Sequence, residues 1–151
     1  MKRAILFDVG VHQRIQRNDI TPLLMALSDK DINRGGIAEA FVGTELVKYG
    51  EPHLPPTLYY WYREAKSSNA EVDYVIQKGT EIVPIEVKSG SKRQMQSLHL
   101  FLAERNLPVG IRISAENFTK YGAITTIPLY AASHVLRRPG LRKFDMTLSR
   151  D

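Results

Sequence analysis

The sequence predicts an α/β fold, a mixed sheet flanked by helices, and three observations carry that expectation. Apolar residues recur at helical spacing in two segments, near residues 37–49 and 95–102, and at two-residue spacing in several shorter ones. A glycine-containing connection, Gln77-Lys78-Gly79-Thr80, joins two β-prone runs. The chain has 151 residues, 43% hydrophobic and 25% charged, which suits one globular domain with a real core. The expected order is helix, three strands, helix, strand, strand, helix.

Ala4 to Val9 is short and apolar, and we read it as a strand or strand remnant that ends at Asp8-Val9-Gly10. Asp8 and Gly10 interrupt it too early for a signal peptide. Residues 11–36 are mixed and polar, read as loops with a short helix around Leu23 to Leu27. From Ile37 to Tyr49 the spacing of Ala38, Val42, Leu46 and Tyr49 predicts a helix that stops at Gly50. Three prolines between Glu51 and Thr57 predict an extended connection. Leu58 to Tyr62 is aromatic and reads as a strand, its rings in the core rather than stacked on bases.

Glu71 to Ile76 and Glu81 to Lys88 are the arms of the hairpin, with Val72, Tyr74 and Ile76 expected on one face and Asp73 on the other. Pro84 cannot donate to a ladder, so either its amide side lacks a partner or the strand bends there. Ser91 and Gln94 have the form of a capping box for a helix whose apolar face is Met95, Leu98, Phe101 and Leu102, ending near Asn106. Val109, Ile111 and Ile113 alternate with Gly110 and Arg112 as a half-buried strand. A strand at Ala123 to Ile127 and a helix from Leu129 to Leu136 close the domain, expected over residues 1–135. Residues 136–151 form a basic tail.

That tail holds Arg137, Arg138, Arg142, Lys143 and Arg150 against Asp145 and Asp151, so it carries most of the net charge of +5. A nearly neutral body gives little support for a broad nucleic-acid surface. There is no cysteine, which removes a disulfide framework, a thiolate zinc site and a cysteine nucleophile. His12, His53, His99 and His134 show no metal-ligand spacing. The lack of cysteine fits a reducing cytoplasm, the expected location, and no apolar run approaches the roughly 20 residues of a bilayer span, so no membrane partner is expected.

The chemistry concentrates in Pro84-Ile85-Glu86-Val87-Lys88-Ser89-Gly90. Glu86 and Lys88 project to one strand face, which alone describes a surface ion pair of little worth. If the hairpin closes through Gly79, Asp73 comes beside Glu86. Two adjacent carboxylates repel unless something positive lies between them, and a divalent cation with oxygen ligands would serve. The helix can add Glu39 or Glu45, between which periodicity does not choose.

A helix carboxylate, then Asp, then Glu-x-Lys on the next strand resembles the PD-(D/E)XK nuclease superfamily. More narrowly, the chain resembles the nuclease-like domain of unknown function at the C-terminus of prokaryotic AAA-type ATPases. The resemblance runs over Leu6-Phe7-Asp8-Val9-Gly10, Ala38-Glu39-Ala40-Phe41-Val42, Tyr60-Trp61-Tyr62, Glu71-Val72-Asp73-Tyr74-Val75, Ile85-Glu86-Val87-Lys88-Ser89-Gly90, Ile111-Arg112-Ile113-Ser114 and Ile127-Pro128-Leu129-Tyr130.

The resemblance implies a restriction-endonuclease-like core, helix-strand-strand-strand-helix-strand, and selects Glu39 over Glu45. It implies Mg²⁺ or Mn²⁺ held by Glu39, Asp73 and Glu86, with Asp73, Glu86 and Lys88 catalytic in phosphodiester hydrolysis. Ser89, Lys92 and Arg93 would contact nucleic acid. It also implies an ATPase part acting in the same protein or in trans. This chain contains no Gly-x-x-x-x-Gly-Lys-Ser/Thr string, hence no ATP site, and reads as the C-terminal module without its ATPase part. DNA is the expected substrate, and a homo-oligomer is compatible with the sequence. The alternative is a non-catalytic module that docks DNA or a partner on a retained nuclease fold.

Overall fold

A computed structural model describes residues 5, 8–15, 34–50, 53, 57–64, 69–89 and 95–137. Its helices are α1 (Val9–Ile15), α2 (Arg34–Lys48), α3 (Gln96–Arg105) and α4 (His134–Arg137). Its strands are β1 (Tyr59–Arg63), β2 (Ala70–Lys78), β3 (Glu81–Lys88), β4 (Gly110–Ser114), β5 (Thr119–Tyr121) and β6 (Ile124–Pro128). They form one mixed sheet in the order β1-β2-β3-β4-β6-β5. The run α2-β1-β2-β3-α3-β4 is the expected helix-strand-strand-strand-helix-strand order. Among the described residues no helix is long and apolar enough to cross a membrane.

Each sheet face has its own cover. Ala38, Val42 and Leu46 of α2 pack on Tyr74, Ile76, Val83, Ile85, Val87, Ile111 and Ile113. Leu98, Phe101 and Leu102 of α3 pack on Val72 and Ile124, with Trp61 joining at the margin. Phe101 and Trp61 meet edge to face at 5.1 Å between ring centres, an arrangement aromatic quadrupoles favour. Trp61 is thus a packing residue as expected, but Tyr59 and Tyr62 of the same strand are exposed.

The β2–β3 hairpin closes on Gly79-Thr80, with Lys78 opposite Glu81 and Gly79 at φ +61°. That left-handed backbone is easy for glycine and strained for other residues. Pro84 lies opposite Val75 on β2, and pairing of β3 with β4 starts one residue later, at Ile85–Ile111. In the alternation of an antiparallel ladder the Pro84 nitrogen then faces away from β2, ahead of the β4 pairing, and its missing N–H leaves no carbonyl orphaned.

Helix α3 ends at Asn106, in the left-handed region at φ 50°. The Asn106 N–H donates to the Ala103 carbonyl and the Leu107 N–H to that of Leu102, the double bond that closes many helices. Gly110 opens β4 directly under this helix. A Cβ there would stand 3.2 Å from both Leu98 and Leu102 side chains, so glycine lets α3 lie close.

Several expectations are corrected. Val9 starts a helix instead of ending a strand, and Ile5 and Asp8 belong to no strand. The reason is local: Asp8 Oδ1 accepts the Val11 N–H at 2.9 Å, capping α1. The helix expected to follow Ser91 and Gln94 starts at Gln96, with Met95 at its cap and, among the described residues, no side-chain cap bond; Ser91 and Gln94 themselves lie outside the described residues. The expected helix over Leu129–Leu136 is a 3-10 turn, Leu129–Ala131, followed by α4. Strand β5 was not foreseen; it pairs with β6 through a turn at Gly122, φ +56°. Strand β4 is buried along its whole length, because helices cover both faces, so Arg112 is not on a solvent side. The helix expected near Leu23–Leu27, most of the proline-rich connection and the basic tail beyond Arg137 lie outside the described residues.

Candidate functional site

The site begins with an irregularity in β2. Tyr59 pairs with Val75 and Trp61 with Val72, so two steps on β1 face three on β2. The extra residue falls at Asp73-Tyr74 and makes a β-bulge, which bends a strand and re-aims its side chains. Val72 and Tyr74, expected on one face, consequently point into opposite cores, Val72 under α3 and Tyr74 under α2.

At the same point the β2–β3 register ends, with Tyr74 opposite Ile85. The Val87 N–H, next in line for a ladder bond to β2, donates instead to Asp73 Oδ2 at 2.7 Å. A buried amide needs an acceptor, and here a carboxylate takes the place of a backbone carbonyl. Asp73 is thereby fixed beside Glu86, the residue before Val87.

Glu86 is 4% exposed. Its Oε1 is 2.5 Å from Lys88 Nζ, while Oε2 is buried with no hydrogen-bond partner among the described residues. Burial raises the Glu86 carboxyl, the Asp73 charge raises it further, Lys88 opposes both, and Glu39 adds a smaller upward push; the result is a pKa of about 7. Burial pushes the Lys88 ammonium down, but its hydrogen bond to Glu86 and the charges of Glu86, Asp73 and Glu39 outweigh that and hold it above its ordinary value. An acid that keeps its proton near neutrality, beside an amine that keeps its own, is the signature of carboxylates crowded together out of water.

The third carboxylate comes from α2. Glu39 acts electrostatically on both Glu86 and Lys88. Glu45 instead faces Lys48, 3.8 Å away on its own helix. Of the two helix candidates, Glu39 therefore belongs to the cluster. Among the described residues, however, no group of three or more acidic or histidine side chains already stands close enough to grip an ion. Asp73 acts on Glu86 more strongly than Glu39 does, and Glu39 is the more weakly coupled member. Ser89 follows Lys88 directly and is half-buried; Lys92 and Arg93 lie outside the described residues.

Two residues here were missed in the sequence. Arg112 sits beside Glu86 in the β3–β4 register and is 1% exposed. Its guanidinium donates to Glu116 Oε2 at 2.7 Å, and the Glu116 N–H donates to Ser114 Oγ. The only hint was the four-residue spacing of Arg112 and Glu116 just past a strand. Tyr74 donates its hydroxyl to the Glu39 carbonyl oxygen at 2.8 Å, a role that its apolar spacing with Val72 and Ile76 does not signal.

The model of the family described as Domain of unknown function (DUF4143) matches residues 34–131, a span that contains Glu39, Asp73, Glu86 and Lys88. No curated protein and no solved structure matches the chain.

Proposed function

The chain belongs to the DUF4143 family, and on that premise we propose that it is a metal-dependent nuclease-like domain that hydrolyses nucleic-acid phosphodiesters. In this reading it is of PD-(D/E)XK type and works with an ATPase part in the same protein or in trans. The observation that carries the reading is Glu86: a nearly fully buried carboxylate, next to Asp73, with one oxygen that has no hydrogen-bond partner among the described residues. Leaving such an oxygen without a donor is costly unless a ligand supplies the missing positive charge.

The donor set fits a hard divalent cation, since Glu39, Asp73 and Glu86 offer only carboxylate oxygens and the sulfur and imidazole ligands of softer metals are not among them. Mg²⁺ or Mn²⁺ bound there would polarise a phosphodiester and lower the pKa of an attacking water. Asp73 is held in place by the Val87 amide, so its orientation is fixed before any ligand arrives. Glu39, the loosest of the three, is the side chain that must close on the pair. Lys88 keeps its proton and can place a positive charge against developing charge on the phosphate. Ser89, Lys92 and Arg93 follow in sequence and are the residues expected to hold the backbone of the substrate.

Mn²⁺ is expected to stabilise the protein against heat. At about one hundred times its dissociation constant the shift should be roughly 5–10 °C for a domain of this size. Asp73→Ala should abolish the shift. An unchanged melting temperature in the wild type would favour the docking-module alternative, for which an incompletely gathered acid set is no handicap.

A further inference from the structure

We infer that Tyr74 is a positioning residue that sets the reach of Glu39 toward the Asp73–Glu86 pair; the inference rests on the metal-dependent reading above. Tyr74 follows Asp73 at the bulge, and its ring is buried, 6% exposed, in the core beneath α2. Its hydroxyl donates to the carbonyl oxygen of Glu39 itself, at 2.8 Å. The regular helical partner of that carbonyl is the amide four residues on, at Gly43. The tyrosine therefore adds a second bond to the helix turn that begins at Glu39.

Gly43 makes room for it. A Cβ at that position would lie 2.6 Å from the Tyr74 hydroxyl oxygen and 3.0 Å from the ring carbon that bears it. Glycine is unfavourable inside a helix, and its presence in the middle of α2 makes room for the Tyr74 hydroxyl, the nearest group, and for the Ile5 side chain, 2.9 Å from such a Cβ. The three acids are then joined by two hydrogen bonds and two chain steps. Glu39 is tied through its carbonyl to Tyr74, which is bonded to Asp73. Asp73 is tied through Oδ2 to the Val87 amide, which is bonded to Glu86. A slide or rotation of α2 over the sheet must break the first of these links.

A buried tyrosine hydroxyl needs some partner in any protein, so the test must separate positioning from packing. Mn²⁺ affinity is measured by calorimetric titration for the wild type, Tyr74→Phe, Glu39→Gln and the double variant, with urea midpoints recorded for each. Tyr74→Phe should weaken Mn²⁺ binding about 10- to 100-fold, the usual effect of removing a group that orients a ligand. Gly43→Ala, which expels the hydroxyl from the other side, should weaken it comparably. The double variant should bind no more weakly than Glu39→Gln alone, because Tyr74 acts through Glu39. Wild-type affinity in Tyr74→Phe, or losses that multiply in the double variant, would overturn the inference while leaving the metal reading intact. A wild type that binds no Mn²⁺ would overturn the metal reading, and the positioning role with it.

Discussion

Lys88→Ala is expected to lower Mn²⁺-dependent cleavage of plasmid or single-stranded DNA by about 10²–10³-fold, the usual loss when one preorganised charge-stabilising group is removed. The same variant should retain the thermal shift with Mn²⁺. Among the described residues Lys88 is the cation that acts on Glu86, and deleting it leaves three carboxylates with less compensation, which favours a divalent ion. Asp73→Ala should lose both cleavage and the thermal shift. The dissociation of the two readouts matters more than either alone. Cleavage that persists equally in both variants would come from a contaminant and would remove the enzymatic reading.

Glu86→Gln is expected to stabilise the metal-free protein at pH 8 and to leave it nearly unchanged at pH 4. The direction follows from linkage. Glu86 titrates near 7 in the folded chain against an ordinary 4.5. Between those values the folded state keeps a proton that the unfolded state has released, so unfolding becomes easier as pH rises. Above about pH 7 the full loss, up to about 3 kcal/mol, is in force. Glutamine has no proton to lose and can still accept from Lys88. Lys88 titrates above its ordinary 10.5, outside this window. Urea unfolding from pH 4 to 8 checks the point, and parallel profiles for wild type and Glu86→Gln would contradict it. A residue whose removal raises stability is one whose charge is retained for something other than folding.

The hairpin was the most legible part of the chain. Two β-prone runs and a glycine fix the register within a residue, and that register brings β2 as far as Tyr74 opposite Ile85, one step short of Asp73 and Glu86. Helix α2 was legible from its period, and its carboxylate was narrowed by resemblance rather than by spacing. The bulge was not legible. Val72, Tyr74 and Ile76 stand at two-residue spacing in the sequence, and the extra residue shows only once β1 is paired against them. Alternation also misplaced Arg112, because a central strand covered on both faces can bury a charge wherever a partner such as Glu116 is in reach. At the N-terminus Asp8 followed by Val9 reads equally as a strand end or a helix cap, and the single bond from Val11 decides it. The start of α3 was legible only to within a few residues, since the helix begins at Gln96.

The central claim is that Asp73 and Glu86, with Glu39 drawn in from α2, surround one divalent cation beside Lys88. The direct measurement is anomalous diffraction from crystals soaked in Mn²⁺. The expected result is one strong peak within coordination distance of Glu86 Oε2 and an Asp73 oxygen, with Glu39 turned toward it. Soaked crystals with no peak among these side chains, at Mn²⁺ concentrations that load other carboxylate sites, would contradict the account.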